Sequence, residues 1–191
     1  MSSRRFVVLT PFGQPDIVAG ILRLRGLDAR VIATNSGVCV VHDVAVPAFT
    51  DWDIAELLGG EPEPAQGEPA NPADDPDNLA GPLSALSEFG VVLLTAELGD
   101  DVGSEAGLSG MVTGVRYLGG LRGEEVQAGI LLNTLDPKVE SLVINGAAGE
   151  GISSMDLSLA DVERILGGAP KIDAADDSDG VPDDSDGEGV R

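Results

Sequence analysis

Apolar residues along the chain fall into short runs that alternate between strand-like and helix-like spacing. Unbroken β-branched runs bounded by Gly, Pro or Asn are typical of buried strands, whereas apolar residues three and four positions apart indicate a helix. This pattern predicts six strands, at Arg5–Thr10, Ala29–Ala33, Val38–His42, Val91–Thr95, Met111–Leu118 and Ser141–Ile144. It predicts five helices, at Ile17–Leu24, Trp52–Leu58, Leu79–Glu88, Glu124–Leu135 and from Ser158 onwards.

A segment that lacks core-forming residues divides these elements into two blocks. Residues 59–82 contain six prolines, six carboxylates, no basic residue and one large apolar side chain, Leu79. Such a composition buries too little apolar surface to offset the entropy lost on ordering. We therefore predict a β-α-β-β-α block at 1–58, a flexible acidic Pro-rich linker at 59–82, a larger α/β block at 83–171 and a disordered acidic tail at 172–191.

The predicted fold class is α+β, or α/β, with the two small βα blocks packed together. About 58 residues give only a marginal core, so the first block is expected to dock on the second. Its element order resembles a truncated ferredoxin-like unit or a βαββ sensing unit at the level of fold analogy. The runs Phe6–Thr10 and Phe89–Thr95 are similar. The order of elements then differs between the blocks, so we do not interpret them as a repeat.

Composition and charge argue against nucleic-acid-binding and membrane-binding functions. Aromatic residues make up 3% of the 191 residues, so the core must consist mostly of Val, Ile, Leu and Ala. The net charge of −22 leaves no basic patch for nucleic-acid phosphates or an anionic membrane surface. No apolar run approaches the roughly 20 residues that span a bilayer. We expect a soluble, cytoplasmic protein, and nine arginines against two lysines suggest a GC-rich bacterial genome.

Two acidic repeats in the tail resemble calcium-binding loops, which carry oxygen ligands at fixed positions and end on a bidentate Glu. They are Asp176-Asp177-Ser178-Asp179-Gly180 and Asp183-Asp184-Ser185-Asp186-Gly187. Ala175 and Pro182 occupy the opening ligand positions, and no predicted helices flank the loops. We interpret the tail as a solvated acidic segment, or as one that competes for a basic partner surface, rather than as a calcium site.

Three glycines lie between a predicted strand and a predicted helix, where phosphate-binding loops occur. They are Gly146, Gly149 and Gly151. Their spacing differs from the dinucleotide fingerprint, no Lys follows, and Glu150 would repel a phosphate. We interpret the segment as a flexible connection. A small-ligand or enzymatic site formed by the glycine-rich loops 99–110 and 145–154 stays open as the alternative function.

Candidate catalytic groups are few. His42 is the only histidine and precedes Asp43, but neighbouring residues on a strand point to opposite faces, so the two are not expected to interact. Cys39 lies in an apolar run and is interpreted as a core residue. One His and one Cys cannot supply the four ligands of a structural zinc site. Ser158 is interpreted as a helix cap rather than a nucleophile. Acidic pairs are expected from composition alone, as at Asp51 with Asp53, Asp100 with Asp101 and Glu124 with Glu125.

We therefore assign no catalytic, cofactor-binding or metal-binding residue and expect no cofactor. The leading hypothesis is a non-enzymatic protein-interaction or regulatory protein that binds a protein partner through the apolar edge of one block. The lack of catalytic residue types and the acidic segments favour this hypothesis over an enzyme. A homo-oligomer is a further option. Trp52, the only tryptophan, is expected in the core or at such an interface.

Overall fold

The computed structural model describes residues 3–45, 71–98 and 112–167. The strands are β1 Ser3–Thr10, β2 Arg30–Thr34, β3 Gly37–Ala45, β4 Val91–Leu98, β5 Val112–Leu118, β6 Leu121–Val126 and β7 Ile152–Ser153. The helices are α1 Pro15–Leu24, α2 Pro76–Ala85, α3 Ala128–Thr134, α4 Pro137–Asn145 and α5 Leu159–Gly167. Short 3-10 turns occupy Pro72–Asp74 and Ser154–Asp156. The seven strands form one antiparallel sheet in the order β6-β5-β4-β1-β3-β2-β7.

The predicted α+β class, with two packed blocks, is confirmed because strands of both blocks share this sheet. β1 lies between β3 of the first block and β4 of the second, and Val7 is opposite both Val41 and Leu94. Helices cover β1 on both faces, which explains its unbroken apolar sequence. The first block therefore completes its core with the second.

Two apolar layers flank the sheet. One face, which we call the α1 face, carries Phe6 and Val8 and packs against α1 and α2, with α5 packed on α1. The opposite face, the α4 face, carries Val7 and Leu94 and packs against α3 and α4. Alternate residues of each strand thus enter different layers, as the strand period of two requires.

Helix α1 ends at Leu24, as the sequence predicts, and Gly26 follows its C-cap Arg25. This glycine has a φ of 67°, in the left-handed region that side chains disfavour. Its amide donates to the carbonyl of Arg23 at 3.1 Å, and the amide of Leu27 donates to the carbonyl of Leu22 at 3.0 Å. These two bonds form a Schellman motif, which satisfies the last carbonyls of the helix and turns the chain towards β2.

The predicted linker end at residue 82 needs correction, because residues 71–82 are ordered. Asp75 caps α2 by accepting a hydrogen bond from the amide of Asp77, and Pro76 occupies the first helical position. Asp and Pro, interpreted as signals of disorder, here begin a helix. Leu79 is fully buried on the α1 face. The segment therefore contributes to the core instead of only connecting the blocks.

Two element assignments in the second block are wrong. The predicted helix Glu124–Leu135 is strand β6 followed by the shorter helix α3, because the Gly119-Gly120 turn folds β5 and β6 into a hairpin. The predicted strand Ser141–Ile144 belongs to helix α4. Asp136 caps that helix by accepting from the amide of Lys138, and Pro137 follows it. An Asp-Pro pair can follow the end of a helix, but this one marks a helix start.

Several predictions lie outside the described residues. They concern the helix Trp52–Leu58, residues 59–70 of the linker, the loop 99–110 and the tail 172–191. The loop 145–154 is described, and its last residues form β7, which pairs with β2.

Candidate functional site

His42 and Asp43 lie on opposite faces of β3, as the strand period predicts. The imidazole Nε2 of His42 lies 2.8 Å from Oδ1 of Asp74 on the α1 face. Asp43 instead accepts a hydrogen bond from Nε of Arg5 on the α4 face at 2.5 Å. Sequence reasoning missed Asp74, because it lies in the segment assigned to the linker. The His42–Asp74 pair attaches the Pro72–Asp74 turn to the sheet, and no hydroxyl or thiol among the described hydrogen bonds joins it.

Arg5 is the buried cation of the described residues, and it joins β1 to the end of α4. Its Nη1 donates to the carbonyls of Val143 at 3.2 Å and Ile144 at 2.7 Å. Only 8% of the residue is exposed. A cation at a helix C-terminus satisfies free carbonyls and opposes the negative end of the helix dipole. The role of Arg5 is therefore to fix α4 against the sheet.

The glycines of the loop 145–154 are explained by packing on the sheet. Gly146 has a φ of 75°, and a side chain there would place its Cβ 2.8 Å from Nη2 of Arg5. A Cβ at Gly151 would collide with the carbonyl of Val31. Arg30 donates to the carbonyl of Gly149 at 3.2 Å. The loop thus meets β1 and β2 closely and directs a carbonyl at a cation, rather than presenting a row of amides to a phosphate.

The remaining candidate groups have structural roles in the described part of the chain. Cys39 is buried, and burial raises the pKa of its thiol to about 11, so it is protonated at neutral pH. Ser158 caps α5 as predicted, because its Oγ accepts from the amide of Asp161 at 3.2 Å. The hydroxyl and amide of Ser158 hydrogen-bond the carboxylate in return and hold the pKa of Asp161 below its usual range.

Each buried side-chain nitrogen and oxygen atom of the described residues has a hydrogen-bond partner. Tyr117 donates its hydroxyl to Asp77, and burial together with this bond raises the pKa of Tyr117 to about 12. Ser154 donates to the carbonyl of Leu27 at 2.6 Å and accepts from the amide of Ala29 at 3.1 Å. These bonds fix secondary structure elements to one another.

Two open grooves lie on the described surface. One, of about 500 Å³, lies between β5, β6 and the start of α3 and includes Val126, Gln127 and Ile130. The other, of about 440 Å³, lies between Phe12 and the β2–β3 turn at Asn35. Within residues 3–45, 71–98 and 112–167, no group of three or more His, Cys, Asp or Glu side chains could hold a metal ion.

Exposed apolar side chains concentrate at one end of the sheet. Leu86 and Phe89 lie in the connection from α2 to β4, and Leu118 lies at the end of β5. Phe89 is 74% exposed, Leu86 58% and Leu118 48%. The two connections meet there, because Arg116 donates to the carbonyl of Phe89 at 3.3 Å. We call Leu86, Phe89 and Leu118 the hairpin-end surface.

At this end of the sheet α2 covers the α1 face, but α3 and α4 leave the α4 face uncovered. Tyr117 points to the α1 face, so its neighbour Leu118 points to the α4 face, as does Leu121, which pairs with it. The side chains that α3 and α4 bury lie at other positions of the sheet, such as Val7, Leu94 and Ala96. Leu118 and Leu121 therefore stay exposed, and Leu121 adjoins the hairpin-end surface on the edge strand β6.

No helix among the described residues combines the length and the apolar character needed to cross a membrane. Comparisons of the chain with protein-family models, curated proteins and solved structures found no match. The functional argument therefore depends on the surface of the chain itself.

Proposed function

We propose that the chain is a non-enzymatic protein-interaction protein, with a regulatory role, and that the hairpin-end surface binds its protein partner. The observation that carries this proposal is the exposure of Phe89, Leu86 and Leu118 at one end of the sheet, where Leu118 lies close to Gly90, the residue after Phe89. A single exposed leucine is common on any protein, but adjacent exposed apolar residues around an aromatic side chain are typical of binding surfaces.

The exposed area of the hairpin-end surface is large enough to contribute several kcal/mol to the free energy of binding. Fully burying a Leu or Phe side chain is worth about 1.5–3 kcal/mol. With the observed exposures, covering all three side chains of the hairpin-end surface gains about 3–5 kcal/mol before the costs of association. The hairpin-end surface would thus supply an anchor for a partner, with polar contacts around it.

The proposed partner is a protein in the cytoplasm rather than a nucleic acid. A net charge of −22 repels phosphates, and the nine basic residues of the described part are outnumbered by sixteen carboxylates. The alternative of a ligand site in the loops 99–110 and 145–154 has no specific observation in its favour.

Capture from a native lysate with the full chain tests the proposal. The baits are the wild type, Phe89→Ser, Leu118→Ser and, as control, Leu24→Ser, which removes an exposed leucine from α1. We expect a stoichiometric protein with the wild type and Leu24→Ser, and about tenfold less with Phe89→Ser. Recovery of no such protein, or equal recovery with all four baits, would overturn the proposal.

A further inference from the structure

The edge strand β6 exposes its backbone in a defined pattern. No strand of the described residues lies beyond β6 in the sheet. Gly119 and Gly120 have φ angles of 59° and 87°, as in the two-residue turns that close hairpins, and Leu118 pairs with Leu121 next to them. Pairs of an antiparallel ladder alternate between hydrogen-bonded and non-hydrogen-bonded. Leu118 and Leu121 close the turn as a hydrogen-bonded pair. The next pair, Tyr117 and Arg122, is therefore non-hydrogen-bonded, and the amide and carbonyl of Arg122 point to the free edge.

A β-bulge gives Glu125 the same backbone direction and the same side-chain face as Arg122. Val115 pairs with Glu125 and Tyr117 with Arg122, so three steps along β6 match two along β5. The bulge therefore turns the backbone of Glu125 towards the free edge as well, and places its side chain on the same face as that of Arg122. In a regular strand without the bulge residue, two positions three apart would differ both in the direction of their backbone groups and in the face of their side chains.

We propose that β6 pairs antiparallel with β6 of a second copy of this chain, about a two-fold axis between Gly123 and Glu124. In this register Arg122 lies opposite Glu125 of the second copy, and the reverse pair forms by symmetry. Each pair joins backbone groups that both face outwards and side chains of opposite charge on one face. Opposite charges directly across strands stabilise pairing, and like charges destabilise it. Two-fold pairs are the commonest form of self-association.

Apolar complementarity supports the same register. Leu121, which is 75% exposed, lies opposite Val126 of the second copy, and both residues point to the α4 face. Val126 borders the groove of about 500 Å³ whose other wall includes Ile130, itself 64% exposed. Leu121 of one copy would therefore enter the groove of the other. Neither Leu121 nor Ile130 belongs to the hairpin-end surface, so this inference goes beyond the proposed function.

The charges on β6 also select the register. Edge strands commonly carry charges that discourage unspecific pairing. In a parallel alignment in register, Arg122 would meet Arg122 and Glu125 would meet Glu125. Only an antiparallel pairing with the axis between Gly123 and Glu124 places both outward residues against opposite charges. At the other end of the sheet, β7 has two residues and offers little edge to pair.

Sedimentation equilibrium of the full chain at physiological salt tests the proposal. We expect a concentration-dependent dimer that Arg122→Glu or Glu125→Arg weakens by about tenfold to a hundredfold, since both symmetric pairs change from attraction to repulsion. Arg25→Glu makes the same charge change at the end of α1 and should leave the dimer intact. Phe89→Ser should also leave it intact, which separates this test from that of the proposed function.

Mixing the two charge variants gives the most specific result. A heterodimer of Arg122→Glu with Glu125→Arg restores both opposite-charge pairs, so the mixture should dimerise with about the wild-type affinity although neither variant does so alone. The double variant should dimerise as well. A wild-type chain that stays monomeric at millimolar concentration would overturn the proposal. So would a dimer that ignores the charge variants, or a mixture that stays as weak as its components.

Discussion

Replacing Arg5 tests how α4 is held on the sheet. Arg5→Met keeps most of the aliphatic stem and removes the guanidinium, which bonds the carbonyls of Val143 and Ile144 and the carboxylate of Asp43. Asp43 is half exposed and regains water, so its lost ion pair matters little. The two helix carbonyls lose charged donors, and such hydrogen bonds contribute about 1.5–3 kcal/mol each. Because water reaches Ile144 more easily than Val143, we expect the free energy of unfolding to fall by about 3 kcal/mol.

Urea unfolding followed by far-UV circular dichroism measures this loss, which is a large part of a total stability of about 5–15 kcal/mol. Arg4→Met is the matched control on the same strand. Arg4 pairs with Glu97 at 3.0 Å, but both side chains are well exposed, so we expect a loss below about 1 kcal/mol. A loss for Arg5→Met no larger than that for Arg4→Met would refute the reasoning, because the buried contacts to α4 would then contribute no net stability.

Three further predictions concern other buried polar groups. Ser154→Ala removes the hydrogen bonds to Leu27 and Ala29 and should lower the free energy of unfolding by about 2 kcal/mol. The melting temperature should fall by about 4–8 °C. The control Ser141→Ala replaces an exposed serine and should change the melting temperature little. The pKa of Tyr117 is raised, so its contribution to stability is fully present below about pH 10 and is lost as the pH rises towards about 12. Unfolding curves at pH 9 and 11.5 should show this loss in the wild type, and a smaller one in Tyr117→Phe. Cys39 should react with a thiol reagent about a hundredfold more slowly in the native chain than in urea, and equal rates would contradict its burial.

The strands of the first block could be predicted from the sequence because local signals decide them. Helix α1 ends at Leu24, where the spacing predicts, and the β2–β3 turn contains the Asn35-Ser36-Gly37 sequence. The opposite directions of His42 and Asp43 also follow from the strand period alone. These features depend on residues close together in sequence.

The second block was harder to predict because its sequence signals occur in more than one kind of local structure. Asp-Pro begins a helix at Asp136 and at Asp75, although the same residues are common in turns and flexible segments. Ala80 and Gly81 add little hydrophobicity, yet they let α2 pack closely on the sheet. Composition alone therefore does not indicate that α2 is a helix of the core.

The hairpin-end surface could not be located from the sequence. Leu86, Phe89 and Leu118 are ordinary core residues by type, and their exposure depends on how the helices lie on the sheet. The sequence predicts only an apolar edge of one block, whereas the residues of the proposed surface come from the tertiary structure.

Hydrogen–deuterium exchange on the full chain, with and without the captured partner, tests the proposed surface most directly. The hairpin-end surface spans the α2–β4 connection and the end of β5, so binding should slow amide exchange at residues 86–90 and 116–120. Protection there, absent with Phe89→Ser, is the predicted result. Protection confined to other segments, such as α1 or α5, would contradict the assignment of this surface as the binding site.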